Sequence, residues 1–436
     1  MSQLLVDARP RPPAVPGFAP VGPGTSRWAA LGVAAVMVVL PFGDVGVPVL
    51  GMSLVYVAMA LPALLALGAL ARDEAVLPAS GVLLGLGLCA AGGVVSTAVG
   101  VRPPDGVTLV VISFLTLGYA VGVSFAYRPG LERDGPDLLV LVGGVVAVMT
   151  LVSAGSLEAA EGGSVINGRL TGPFAQPNEL GIFCAALLPI AVACLVTTPS
   201  RRRLAVLGIA TACLAMAWAM SMSRGAWIGG IAALVCLAIA EPRTRRALAG
   251  IGAAVVATCA AALVLPTSTA VLGALGARLR SLQDPSQNQY DDRPLIWAEA
   301  WRQATTHPWF GVGPGGYPVA AGDSTSAISS YGAQHPHDLL LTVLAERGAI
   351  GLGFGAVVVA GCVIAARRHA LAGPAVDVGG SLLRTRSMAV IAALVAVAVH
   401  CVFDMPLRNP IVAGLVWTLL GMAVVAETAR SDGRPS

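Results

Sequence analysis

Long apolar runs, separated by mostly short polar breaks, follow one another along the chain from residue 28 to residue 429. About 20 residues of helix cross the hydrocarbon core of a bilayer, and the runs are close to that length. The pattern predicts twelve spans: 28–43, 48–71, 81–100, 108–127, 138–155, 180–198, 204–223, 225–240, 247–266, 339–366, 387–403 and 411–429. Glycine and alanine crowd many of them, as in "GVLLGLGLCAAGG" and "IATACLAMAWAM", and such small residues let membrane helices approach closely. Read as a cleaved signal peptide, 28–43 has the uncharged core but no clear small-residue cleavage site after it.

Two breaks are long, 156–179 and 267–338, and long loops in a compact architecture are functional or disordered. In the second, "DDRPLIWAEAWRQATTHPWFGVGPGGY" predicts a helix over 294–306, with Pro294 in its first turn and Pro308 just past its end. Ile296, Trp297, Ala300, Trp301 and Ala304 share a face, which predicts that this helix lies against the membrane surface or the bundle. "GVGPGGY" predicts a tight turn. It follows no strand, so its glycines do not read as a nucleotide loop. Residues 1–27, with six prolines, read as a disordered tail, and 430–436 as a second one.

Composition says where the chain resides. Hydrophobic residues make up 56% of the 436, charged residues only 11%, and the mean hydropathy is +0.79. A soluble domain carries roughly 25% charged residues, so this is a membrane protein. There is no lysine, and orientation rests on 27 arginines. With twelve spans both termini share a side, and eighteen of the arginines fall in the tails and loops of that side. The positive-inside rule makes it cytoplasmic. The net charge of +4 is thus mainly a topology signal, and a nucleic-acid partner is unsupported. The eight cysteines all lie in or beside apolar spans and read as small buried hydrophobes.

On the outer face the polar residues gather. "GRLTGPFAQPNELG" supplies Arg169, Thr171 and Asn178; "SMSRGAWIGG" places Ser223 and Arg224 between two spans with almost no loop; "DDRPLIW" supplies Arg293; and "AQHPHDLLLTVLAERGAIG" supplies His335 and His337. A charged side chain at a span boundary marks a pathway or site by default. The bland alternatives are an Arg224 that snorkels to headgroups, an Arg293 paired with Asp291 or Asp292, and a structural His335. Asp338 suits a helix N-cap, accepting from the N–H groups of 339–341. Glu346 and Arg347 read as paired with each other or with the loop, and Asp404 in "FDMPLRNP" as the partner of Arg408. The His335-Pro336-His337 pair lacks an evident third ligand for zinc. No comparable polar set is legible in the cytoplasmic halves of the spans.

His337-Asp338, nine residues, Gly348, two residues and Gly351 together resemble the signature of the O-antigen ligase and polymerase superfamily. "RLTGPFAQPNELGIF", "SMSRGAWIGG", "RPLIWAEAWRQATTHPWFGVGPGGY" and "HPHDLLLTVLAERGAIGL" resemble its motifs, in the same order. The resemblance covers about 165–355, within a membrane domain 28–429 that carries the extracytoplasmic loop 267–338. The ligase pattern usually places Asn, Ser or Gln after the histidine, where this chain has Asp338, and His335 is an extra histidine.

The resemblance implies an all-α polytopic protein of glycosyltransferase C-type (GT-C) architecture in the plasma membrane. It implies transfer of a glycan from an undecaprenyl-diphosphate carrier to a hydroxyl of a glycan or lipid-core acceptor, on the outer side, without metal or cofactor. Guanidinium forks match phosphate oxygens, so Arg224 and Arg293 are the expected diphosphate ligands. His337 is the expected base. Arg169, Asn178 and His335 are secondary candidates. The alternative from another class is a transporter of a small anion or lipid-linked glycan; one histidine with external arginines on a single face favours chemistry over transport. Polymerase and ligase are not distinguished.

Overall fold

The computed structural model describes residues 23–43, 45–47, 52–126, 131–154, 165–166, 168–264, 276, 293–323, 335–371 and 378–428. Asp291, Asp292 and most of both tails lie outside them. Among the described residues the regular structure is helical apart from two antiparallel hairpins of two-residue strands, β1 (Gly46–Val47) with β2 (Met52–Ser53) and β3 (Val165–Ile166) with β4 (Arg169–Leu170). The helices are α1 (Pro23–Val39), α2 (Leu54–Ala71), α3 (Gly81–Val99), α4 (Pro103–Ala126), α5 (Glu132–Ser153), α6 (Pro177–Thr197), α7 (Arg201–Met220), α8 (Arg224–Ala240), α9 (Arg245–Val264), α10 (Arg293–Thr306), α11 (Tyr317–Gly322), α12 (Leu339–Leu371), α13 (Val378–His400) and α14 (Pro410–Thr428).

Every expected span falls on a helix, but not every helix is a clear span. Ten are long and apolar enough to cross a membrane among the described residues, or eleven if α8 and the segment Pro242–Ala253, bent by 117° at their junction, count as one. The expectation is twelve; α8 falls short of a full span on its own because it has only 17 residues and turns sharply at Glu241 into a 3-10 turn, Pro242–Thr244. The first helix also starts at Pro23, inside the stretch expected to be disordered tail.

Packing follows from the distribution of apolar residues. A helix that is hydrophobic on all sides belongs in the interior or in lipid. Helices α6 and α14 are of this kind and form the centre of the bundle, with 83% and 89% of their span windows buried, whereas α12 lies at the periphery. Around the centre, α13 packs on α6 and α8, α5 on α7, α2 on α4, and α12 on α3. The α3–α12 contact needs small residues: a Cβ at Gly361 would collide with the backbone of Gly81 and Val82.

Two polar layers cap opposite ends of this bundle. At one end lie the start of α6, the α7–α8 turn, the start of α12 and the α13–α14 turn. At the other lie the start of α5, the end of α6, the start of α7 and the early turns of α13. Here Asp137, 3% exposed, pairs with Arg386, also 3% exposed, at 3.0 Å, and with Arg203. Arg203 also reaches Asp134 at 2.8 Å, and Arg386 Nε donates to Thr197 Oγ1 at 3.3 Å. This is a polar set at the end opposite the site, where the sequence reading had found none legible. Asp134 and Asp137 stand one turn apart on α5, and the spacing hides that two distant arginines converge on them. At the same end Glu427 caps α3 from the far side of the sequence, accepting from Ser80 Oγ at 2.5 Å and Gly81 N at 2.9 Å.

Candidate active site

Three short segments at the first end build the site. The α7–α8 turn is tight enough to hold Met222 at φ +48°, and Ser223 Oγ caps α8 by accepting from Ala226 N at 3.4 Å. Arg224 is therefore the first residue of α8, half-buried at the mouth of the bundle. The β3–β4 hairpin carries Arg169 toward the same turn, where its Nε donates to the Ser221 carbonyl at 3.0 Å. The third segment, His335–Asp338, runs into α12. Asp338 caps that helix as expected, accepting from Leu341 N at 2.9 Å.

Asp404, between α13 and α14, ties these segments together. His337 Nδ1 lies 3.3 Å from Asp404 Oδ1. Asn178 Nδ2 donates to Oδ2 at 2.8 Å, and Arg169 Nη2 donates to Asn178 Oδ1 at 2.7 Å. The Met405 N–H adds a bond to Oδ1 at 2.8 Å. Burial pushes the Asp404 carboxyl up. The hydrogen bonds from His337, Asn178 and Met405, with the His400 charge, outweigh it and hold the group well below the usual carboxylate range. An ionised carboxylate only accepts. In the neutral ring, a proton on Nδ1 toward Asp404 leaves the lone pair on Nε2, on a side chain 39% exposed.

The sequence reading assigned Asp404 to Arg408. In the fold Asp404 holds His337 and Asn178, while Arg408 Nη1 lies 2.6 Å from His335 Nδ1. The two histidine rings lie tilted by 43° with centroids 4.1 Å apart. Burial first, then the neighbouring charges of His337 and Arg408, push the His335 pKa down to about 4. Asp404 was missed because it lies 67 residues beyond His337; its only local signal is an acid in a short turn between two spans.

His337 sits at φ +53°, a left-handed conformation that costs a non-glycine residue roughly 1–3 kcal/mol and persists only where surroundings enforce it. They do so here. Trp297 Nε1 donates to the Pro336 carbonyl at 2.9 Å and Leu339 N to the Cys401 carbonyl at 2.8 Å. The loop helix α10 thus holds the histidine segment from outside while the α13 end holds it from within.

Helix α10 has the expected boundaries to within a residue, and three of the five residues of the expected face are buried. Ile296, Ala300 and Ala304 are buried together with Glu299 and Gln303, while Trp297 and Trp301 are 38% and 58% exposed. The buried stripe takes in Glu299 and Gln303, whose Nε2 donates to Glu299 Oε1 at 2.9 Å and to the Tyr317 carbonyl at 3.2 Å. Arg293, at the start of α10, lies close enough for its charge to act on His400. His400, 1% exposed, abuts Gly225, the residue after Arg224. All the sequence-predicted site residues thus come to one end, with Arg169 and Asn178 standing behind His337 as supports of Asp404.

Of the two signature glycines, Gly348 shapes the backbone. Gly348 has φ +66° and breaks α12. Into the break fits the segment 308–313: Ala349 N and Ile350 N donate to the Pro308 and Trp309 carbonyls at 2.8 and 3.2 Å, and Val312 N and Gly313 N donate to the Ala345 and Glu346 carbonyls at 2.9 and 3.0 Å. Glu346 bonds the loop, accepting from Tyr317 N at 3.4 Å, and Arg347 Nη1 reaches the Cys89 carbonyl at 3.1 Å. "GVGPGGY" is the tight turn expected, with positive φ at Gly311, Gly313 and Gly315. The seven cysteines whose side chains are described are free thiols.

These features define a multi-pass, all-helical membrane protein with a polar site at one end of its bundle. Residues 209–354 match the family described as O-antigen ligase. Over that stretch, about a third of the chain, the protein carries the domain of the O-antigen ligase and polymerase superfamily, as the motifs had suggested. The match supports a membrane O-antigen ligase- or polymerase-type function. It includes Arg224, Arg293, His335, His337 and Gly348 but not Arg169, Asn178 or Asp404. No curated protein matches the chain.

Proposed function

We propose that the protein is a membrane glycosyltransferase that moves a glycan from a polyprenyl-diphosphate carrier, undecaprenyl diphosphate by the family resemblance, to an acceptor hydroxyl on the outer side of the plasma membrane. The observation that carries this reading is the His337–Asp404 pair. Asp404 orients the ring and stabilises the charge the imidazole gains on taking a proton. His337 Nε2 removes the acceptor O–H proton as that oxygen attacks the anomeric carbon. The bond from that carbon to the phosphate oxygen breaks, and the diphosphate carrier leaves with the negative charge. Arg224 and Arg293 bind the leaving diphosphate and stabilise the charge as it develops. The first-turn N–H groups of α8 point to the same end, where helix polarity favours an anion. The chemistry asks for no metal or cofactor.

The test uses purified protein in detergent with an undecaprenyl-diphosphate glycan and its acceptor. Wild type should release carrier diphosphate in proportion to new glycosidic bonds. His337→Ala should bind donor but release none, and His335→Ala should keep measurable turnover. Equal losses in both variants would refute the assignment of the base. A ladder of products indicates a polymerase, a single addition to a lipid core a ligase.

A second reading, transport of an anion or lipid-linked glycan, draws on the buried Asp137–Arg386–Arg203 set at the far end, beside which a cavity of about 290 Å³ opens. It predicts flux across sealed vesicles and no carrier diphosphate in detergent.

A further inference from the structure

We propose that His335, His337 and Asp404 together bind one divalent transition-metal ion, with zinc the best fit, and that the ion switches the transferase off by taking the His337 ring out of proton transfer. The zinc reading of the two histidines lacked a third ligand in the sequence, and the fold supplies it in Asp404. One ligand atom from each of the three residues lies within 4.8 Å of the others. The His337 Nδ1 to Asp404 Oδ1 separation is 3.3 Å. It suits two ligands that share a tetrahedral ion at roughly 2.0–2.2 Å each. Two imidazoles and a carboxylate are a donor set that zinc accepts, with a fourth position left to water.

The surroundings complete such a site without making it a resident cofactor site. Asn178 donates to the other Asp404 oxygen and is itself held by Arg169, the outer-shell support that orients metal-binding carboxylates. His337 is 39% exposed, so an ion can reach it. Against this, the exposed Arg408 guanidinium stands 2.6 Å from His335 Nδ1 and repels a cation. Weak, reversible occupancy follows, and a ring with metal on one nitrogen and a proton on the other has no lone pair for an acceptor hydroxyl. The inhibitory half of the proposal rests on His337 as the base; the binding half does not.

The experiment titrates Zn²⁺ into full-length protein in detergent against a chromophoric chelator, with turnover measured along the same titration. Other cysteines and histidines give a background common to all variants, so differences are the readout. Wild type should bind one ion more than His335→Ala, whose affinity at this site should drop more than about tenfold, a loss at least as large as outer-shell changes cause. Wild-type turnover should fall along the binding curve and return with chelator, while His335→Ala turns over and resists zinc. Arg408→Gln should bind zinc more tightly, a gain that misfolding cannot mimic. Equal zinc occupancy and sensitivity in wild type and His335→Ala would overturn the site. Zinc binding that depends on His335 yet leaves turnover untouched would overturn the inhibition. Loss of the base reading is seen separately, as turnover retained by His337→Ala without zinc.

Discussion

His337 has one ring nitrogen committed to Asp404, and the chemistry proposed for it falls on the other. The supporting residues therefore matter as much as the base. Asp404→Asn should reduce turnover by roughly 10²-fold or more, because the carboxylate fixes the tautomer and stabilises the imidazolium; steady-state release of carrier diphosphate checks this. Arg224→Lys and Arg293→Lys keep the charge but lose the planar fork. Each should lower turnover roughly tenfold or more, and near-normal rates in both would reduce the arginines to general attraction. His335 makes a pH prediction. Its folded pKa of about 4 lies below the ordinary 6.5, so between these values the unfolded chain binds more protons and stability falls as pH drops. His335→Gln should lose less melting temperature than wild type between pH 6.5 and 4, measured in detergent. An identical decline in both proteins would show that His335 does not titrate across that window.

At the scale of elements, the loop helix and the broken α12 act as one unit. Four backbone hydrogen bonds join 308–313 to 345–350, and they exist only because Gly348 interrupts the helix. A Cβ at Gly348 would strike the Trp309 and Phe310 backbone, and Gly348 also occupies positive φ. Gly348→Ala should therefore destabilise the protein by roughly 2 kcal/mol or more and lower turnover by displacing α10 and, through Trp297, the histidine segment. Gly353→Ala, on the same helix with open space around it, should leave both unchanged. Melting temperatures and turnover of the pair decide whether Gly348 serves architecture or contacts substrate.

Across the whole molecule, the two polar ends are joined by an apolar centre of α6 and α14, and they differ in kind. The site end is open and holds His337 half-exposed. The far end buries Asp137 and Arg386 almost completely. Removing one partner of a buried ion pair leaves an uncompensated charge and costs about 3–5 kcal/mol. Arg386→Ala should lower the melting temperature sharply while each folded molecule keeps normal turnover. Vesicle flux that Arg386→Ala abolishes in a protein that still folds, with no carrier diphosphate released by wild type in detergent, would instead favour the transport reading.

What the sequence by itself determined was whatever depends on neighbours along the chain. Apolar run length located every span. Pro294 and Pro308 bounded α10, Asp338 announced its cap, and local motifs picked out His337, Arg224 and Arg293. What only the tertiary structure decided was whatever depends on residues far apart in sequence. Asp404 finds His337 across 67 positions and Asn178 across 226, and Arg386 finds Asp137 across 249. The burial of Gln303 on α10 depends on tertiary structure in the same way: it donates to the Tyr317 carbonyl 14 positions on. A buried polar group is tolerated only with its partners present. In a bundle of helices those partners sit on whichever helices the packing of small residues brings alongside.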